Sequence, residues 1–136
     1  LATCQRAARP GRRGADGERL MYLAMAQDKA GQAEDAAKGM ATALATFPGG
    51  RVPFVAWLNA GILSARRRQW APAQRYLEQA VASQPANRVA MSALQAVCER
   101  HLLALEGRTD PEGEHLRHGA IRCLTETARA EGRRRD

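Results

Sequence analysis

The sequence predicts an all-α fold made of repeated pairs of helices, and three observations lead to this prediction. Alanine is the commonest residue and nearly all of the 21 basic residues are arginine, whereas aromatic residues make up 4% of the chain. Alanine and arginine favour helices, and the β-branched and aromatic residues that strands favour are scarce. Apolar residues recur at helical spacing in stretches that end at glycine or proline, and one such pattern occurs twice.

The two ends of the chain lack a helical pattern. Residues 1–16 contain arginines, glycines and Pro10 without an apolar stripe, so we expect a flexible basic arm there. The helical pattern begins at about residue 17 and continues to residue 132, which defines the predicted domain. Residues 133–136 are expected to form a short basic tail.

The first pair of helices is predicted at about residues 17–50. One apolar stripe runs from Leu20 to Gln27 and stops before Gly31. A second stripe runs from Ala33 to Phe47 and stops at Pro48, which two glycines follow. Glycine after a helix and proline beyond it are the expected stop signals.

Residues 54–87 repeat this pattern. The segment from Gly31 to Pro48 aligns with the segment from Arg68 to Pro85, a shift of 37 residues. Residues 66–69 form the predicted turn between the two helices. Four positions match in residue type: Ala36 with Ala73, Met40 with Leu77, Ala43 with Ala80, and Pro48 with Pro85. The match indicates an internal repeat of two helices each.

A third copy is predicted at residues 88–132. Its first helix carries apolar residues from Met91 to Leu105, and Asp110-Pro111 is a suitable start for its second helix. The alignment of this copy requires an insertion of about a dozen residues around the turn. Three repeats are the usual minimum for a stable stack of this kind.

The second copy resembles the tetratricopeptide repeat (TPR) family, whose signature is W-x2-L-G-x2-Y, then A-x3-F, then P. Ala60 and Ser64 depart from this signature, where leucine and tyrosine are usual. The residues that match it are Trp57, Gly61, Ala73, Leu77, Ala80 and Pro85. The resemblance implies a TPR-like α-solenoid, a right-handed superhelical stack of antiparallel helix pairs. It also implies that small residues such as Gly61 and Ala73 lie where helices press together.

The resemblance further implies that the first helix of each pair lines a concave groove that binds a partner protein or peptide, as in a scaffold or adaptor. We expect this face to be apolar in the middle and to end in a cation on each helix. The candidate partner-binding residues are Met21, Met25, Lys29, Leu58, Asn59, Ile62, Arg66 and Arg100. Such a groove suits a peptide with acidic flanks. The alternative is that the cations only complement the helix dipoles.

Asn59 is the one residue at a position matching the carboxylate clamp of TPR domains that bind chaperone tails. The other clamp positions hold residues that cannot bind a carboxylate by charge. That specialised role is therefore not expected.

The net charge of +7 raises the question of nucleic-acid binding. The excess lies in the N-terminal 19 residues and around Arg66-Arg67-Arg68, without interleaved aromatic residues. We interpret the three arginines as a solvated turn at a helix end, and nucleic acid as the less favoured partner. A structural spacer within a larger protein, or a basic helical array that binds nucleic acid, remain the alternative functions.

No catalytic site, metal site or cofactor is predicted. The sequence has no nucleophile elbow and no glycine-rich phosphate loop. Cys98 and His101, with His115 and His118, have metal-like spacing, but we expect a buried cysteine and surface histidines there.

The three cysteines are widely spaced and no disulfide framework is expected, which favours a reducing compartment such as the cytoplasm. No apolar run reaches the length of a membrane span. Because the chain begins at Leu1, we expect a piece of a longer protein, which need not contain the targeting signal.

Overall fold

The computed structural model describes the backbone of residues 10–135 and the side chains of residues 14–133, and this part of the chain consists of helices joined by short connections, without a strand. A short 3-10 turn, Pro48–Gly50, separates the first two pairs of helices. The six helices are α1 (Pro10–Lys29), α2 (Ala33–Thr46), α3 (Phe54–Arg66), α4 (Trp70–Ser83), α5 (Arg88–Ala104) and α6 (Pro111–Arg135). The predicted all-α fold is confirmed.

Helix α1 begins earlier than the sequence predicted, because residues 10–16 belong to it. The prediction of a flexible arm is therefore wrong for these residues, and residues 1–9 lie outside the described part. Asp16 forms an ion pair with Arg19 one turn later. Gly17 is buried under the ring of Phe47, where a Cβ atom would come within 2.8 Å of the ring, so this glycine lets α1 approach the end of α2. At the other end, residues 133–135 are part of α6 and not a separate tail.

The helices form three consecutive hairpins, α1–α2, α3–α4 and α5–α6, and α4 also packs against α5. The internal repeat is visible in the backbone of the first two turns. Gly31 (φ 83°) and Arg68 (φ 58°) occupy the same left-handed position just after a helix. Both turns have the same pair of backbone hydrogen bonds. In the first turn, Gly31 N–H donates to Asp28 O (3.1 Å) and Gln32 N–H to Gln27 O (2.9 Å). In the second turn, Arg68 N–H donates to Ala65 O (2.9 Å) and Gln69 N–H to Ser64 O (2.9 Å). This pattern satisfies carbonyl groups at a helix C-terminus.

Two clusters of buried side chains hold the hairpins together. The first joins α1, α2 and α3, and the second is centred on α4, α5 and α6. The small residues that the repeat alignment matched are all fully buried: Ala36, Ala43, Ala73 and Ala80. Trp57 of α3 stacks on Tyr76 of α4 with ring centroids 6.0 Å apart, which adds an aromatic contact within the second hairpin.

Gly61 sets the distance between α3 and α4. A Cβ atom at this position would lie 2.5 Å from Cγ of Leu77, which is far closer than van der Waals contact. Leu77 is fully buried and belongs to the second cluster, so it has little room to move away. The close packing that the sequence predicted at Gly61 is present.

A disulfide bond between Cys98 of α5 and Cys123 of α6 crosslinks the third hairpin. The two Cα atoms are 6.4 Å apart, and both side chains are buried in the second cluster. The expectation that the cysteines form no disulfide is therefore wrong. It rested on spacing along the chain, whereas the hairpin brings together two residues that are 25 positions apart.

Asp110 starts α6 as the sequence predicted. Its side chain accepts a hydrogen bond from the backbone N–H of Gly113 at 3.2 Å, in the manner of a helix N-cap. Arg108 donates two hydrogen bonds to the same carboxylate, and this charged partner lowers the pKa of Asp110 to about 2. The third hairpin thus has a longer connection than the first two, with its own polar contacts.

We expect reduction of the disulfide to destabilise the fold. Closing a 25-residue loop removes conformational entropy from the unfolded chain, and this stabilises the native state by about 3 kcal/mol. Urea denaturation of the oxidised and the reduced protein should give free energies of unfolding that differ by this amount. A Cys98→Ala/Cys123→Ala variant should not respond to the reductant. Identical unfolding midpoints of the oxidised and reduced protein would contradict the assignment.

Gly61→Ala is expected to lower the free energy of unfolding by about 1–3 kcal/mol, because the added methyl group overlaps Leu77. Gly119→Ala in α6 is the matched control, since a Cβ atom there meets nothing within 4 Å. That control should gain about 0.5–1 kcal/mol from the better helix propensity of alanine. Equal stability of the two variants in urea denaturation would show that α3 and α4 are not in tight contact.

Candidate binding groove

The first helices of the three hairpins lie side by side, since α3 contacts both α1 and α5. Two adjoining concavities follow this surface, one between α1 and α3 and one between α3 and α5. They share Ile62 and Arg66, both on α3. We call the combined surface the α1–α3–α5 groove.

The concavity between α1 and α3 has a volume of about 140 Å³. Its charged groups are partly neutralised, because Arg66 forms an ion pair with Asp28 at 2.5 Å, and the side chain of Asp28 is only 10% exposed. The lining residues are Met25, Asp28, Lys29, Asn59, Ile62, Leu63 and Arg66. This half of the groove therefore contains both an acidic and a basic group above an apolar floor.

The concavity between α3 and α5 is larger, at about 360 Å³, and we call it the α3–α5 pocket. Its floor is apolar, and the small side chains of Ala93 and Ala96 on α5 leave it open. Three arginines lie around it, and no acidic residue lines it. The lining residues are Ile62, Ala65, Arg66, Arg68, Trp70, Leu77, Ala93, Ala96, Val97 and Arg100. This half of the groove is apolar and positively charged.

Six of the eight sequence-predicted site residues line the groove. Met25, Lys29 and Asn59 line the first concavity, Arg100 lines the second, and Ile62 and Arg66 line both. Asn59 is half-buried, and its side-chain amide donates to the sulfur of a neighbouring methionine at 3.8 Å.

The placement of Met21 in the groove was wrong. Its side chain is fully buried in the first cluster, where it packs with Ala24 and is contacted by Asn59. Because Met21 and Ala24 lie one helical turn apart, this side of α1 faces the cluster that joins α1, α2 and α3 and not the solvent. Leu58 lines neither concavity. It is half-buried and packs against the second cluster, so its predicted place in the groove is wrong.

The three consecutive arginines do not form a single basic patch. Arg66 pairs with Asp28, and Arg67 lies 3.5 Å from Glu34 of α2. Arg68 lines the α3–α5 pocket instead. The interpretation of all three as a solvated turn is therefore wrong for Arg68, which is a groove residue. The alignment of Arg68 with Gly31 could have indicated this, because it places an arginine at a turn position that favours glycine.

Trp70, Ala93 and Ala96 are the other groove residues that the sequence analysis missed. Trp70 is the first residue of α4, and its half-buried side chain lines the pocket. The two alanines are ordinary helix formers in the sequence, and their role is to leave space. Small side chains in one helix indicate a pocket only once the position of the neighbouring helix is known.

Two of the four residues with metal-like spacing, Cys98 and His101, have other partners. Cys98 is bonded to Cys123. His101 is buried, which corrects the expectation of a surface histidine, and its Nδ1 atom lies 2.8 Å from Oε1 of Gln74. Burial lowers the pKa of His101 below its usual value. Within residues 10–135, no three His, Cys, Asp or Glu side chains are grouped closely enough to hold a metal ion.

A concavity larger than the α3–α5 pocket lies elsewhere, between α4, α5 and α6, with a volume of about 580 Å³. Its lining mixes apolar side chains such as Met91 with Glu78, Glu126 and Arg133. Burial raises the pKa of Glu78. Because acidic and basic groups are mixed there, the charges do not indicate one class of ligand, and its size alone does not make it the better site.

Comparison with known proteins does not assign the chain to a family. No model of a known protein family matches the chain, and no curated protein matches it. None of the helices in the described part of the chain has both the length and the apolar character required to cross a membrane.

Proposed function

We propose that this chain is a protein-interaction module that binds an extended segment of a partner protein in the α1–α3–α5 groove. The observation that carries the proposal is the pair of joined concavities along three neighbouring helices, both with apolar lining residues and the larger one with arginines as its only charged residues. Peptide-binding grooves commonly combine pockets for apolar side chains with charged groups that orient the peptide.

We further propose that the hairpins form a TPR-like solenoid. The 37-residue repeat, the matching turns at Gly31 and Arg68, and the close contact of Gly61 with Leu77 support this architecture. In such a stack each hairpin contacts its neighbours, and the first helices together provide one continuous binding surface. The module would then serve as a scaffold or adaptor and act by binding alone.

The groove is suited to binding with little rearrangement. Ile62, Leu77 and Val97 form its floor, and Leu77 and Val97 belong to a buried cluster that holds them in place. At the start of α3 and α5, Val55 and Val89 are exposed at helical spacing from the floor residues and extend the apolar surface. A partner segment could therefore place apolar side chains along this face without unfolding any helix.

An Ile62→Arg/Ala96→Arg variant tests the proposal. Both residues line the α3–α5 pocket, so two arginine side chains there should block it. Screened against a randomised peptide display library, the native chain should enrich specific peptides. The variant should bind those peptides at least tenfold more weakly. Circular dichroism and thermal melts should show that the variant is still folded.

Ile121→Arg is the matched control, because this residue is 47% exposed on α6 and lines none of the groove. It should bind the enriched peptides like the native chain. Equal binding by the groove variant would contradict the proposal. If the native chain instead binds a single-stranded oligonucleotide with an affinity that falls steeply as salt is raised, a basic helical array is favoured. Enrichment of no peptide at all would favour a spacer.

A further inference from the structure

We propose that the α3–α5 pocket recognises a carboxylate beside an apolar side chain in the partner polypeptide. In this assignment Arg68 and Arg100 bind the carboxylate, and the floor of the pocket takes the apolar side chain. The inference rests on the proposed function, because it specifies what the groove selects. Three observations support it: the arginines that line the pocket, the backbone conformation of Arg68, and the size and lining of the pocket.

The charges of the pocket are not balanced by the chain itself. Of the three arginines that line it, Arg66 is paired with Asp28. Neither Arg68 nor Arg100 forms an ion pair or a side-chain hydrogen bond with any residue in the described part of the chain. Two exposed guanidinium groups therefore flank an apolar cavity and remain available to an acidic group of a ligand.

The backbone conformation of Arg68 indicates that its side chain binds a ligand. Within the described chain, Arg68 is the one residue other than glycine with positive φ, at 58°. The corresponding turns of the first and third hairpins have Gly31 and Gly107 in this left-handed conformation. Glycine adopts it without the steric penalty that a Cβ atom introduces. An arginine that occupies such a position and lines the pocket is most simply explained by a contact that its guanidinium makes with a ligand.

The shape of the pocket fits one apolar side chain with its neighbouring backbone. Its volume of about 360 Å³ lies near the lower end of the range of ligand sites, ~300–1,000 Å³. Ile62, Ala93 and Val97 give it an apolar floor, and Trp70 also lines it. A ligand residue seated on this floor would place an adjacent carboxylate at the arginines of the rim.

A polypeptide fits this surface better than a nucleic acid does. A phosphate backbone needs a track of cations and commonly stacks its bases on aromatic rings. Here Asp28 lies in the adjoining concavity, and Arg66 and Arg67 are engaged by Asp28 and Glu34. The cationic region is therefore short and ends at an acidic group. One carboxylate matches it, whereas a chain of phosphates does not.

The test uses synthetic peptides that copy the sequence most enriched from a randomised display library by the native chain. We expect that sequence to contain Asp or Glu next to an apolar residue. Replacing the acidic residue by its amide should weaken binding to the native chain on the order of tenfold, as expected for the loss of a charge-assisted hydrogen bond. Arg68→Gly and Arg100→Gln should each weaken binding of the acidic peptide to a similar extent. Both variants should bind the acidic and amide peptides with nearly equal affinity.

Arg68→Gly separates binding from folding, because glycine is the favoured residue at this backbone position. Its melting temperature should equal that of the native chain or exceed it, while its affinity falls. Arg68→Lys should retain part of the preference for the acidic peptide, since it keeps the charge. Arg51→Gln is the matched control, because it removes one exposed arginine that lines neither half of the groove. This control should bind both peptides like the native chain.

The outcomes distinguish this inference from the proposed function. If Ile62→Arg/Ala96→Arg abolishes binding but the acidic and amide peptides bind the native chain equally, the groove binds peptides and the carboxylate inference is wrong. If a single-stranded oligonucleotide of about twenty nucleotides binds more tightly than the peptide and depends on Arg68, the inference is wrong and the partner is nucleic acid. If no peptide is enriched, both ideas fail.

Discussion

The close approach of α3 and α4 at Gly61 underlies the packing of the central hairpin and of the pocket beside it. The absence of a side chain at Gly61 lets Leu77 lie against the backbone of α3. Leu77 is then buried with the residues that join α4 to α5 and α6, and it also lines the α3–α5 pocket. One contact therefore sets the spacing within the central hairpin, anchors the third hairpin, and places part of the floor of the groove.

The third hairpin is held by a different means from the first two. It matches the repeat least well in sequence, and its connection between helices is longer. The Cys98–Cys123 disulfide joins its helices within the second cluster, and Gln74 of α4 reaches both His101 on α5 and the carbonyl of Gly119 on α6. A covalent bond and a buried polar contact thus supplement apolar packing. Since α5 carries Arg100 and the small residues of the pocket, these contacts also hold one wall of the groove.

Much of the fold could be predicted from the sequence, because helical periodicity and stop signals are local properties. The bounds of α2 through α5 follow the apolar stripes and the glycine and proline positions closely. The start of α1 was missed because residues 10–16 are rich in glycine and arginine and carry no apolar stripe. The disulfide was missed because it depends on how two helices pair.

Part of the groove could also be predicted, because helical spacing is a local property of the sequence. Helical spacing placed Met25, Ile62, Arg66 and Arg100 on one side of their helices, and the structure brings these residues to the same surface. The same spacing could not show that Met21 faces inward, because α1 has apolar residues on more than one side and its rotation is set by packing against α2. Nor could it show the direction of Arg68, which depends on the backbone of a turn.

Binding in the α1–α3–α5 groove is tested most directly by an NMR titration of the isotope-labelled chain with the peptide that it enriches from a display library. We expect the largest amide shift changes in α1, α3 and α5 and in the turn at Arg68, with little change at Glu78, Met91 or Glu126. Shift changes centred on the concavity between α4 and α6 would contradict it, because the partner would then bind on a different face.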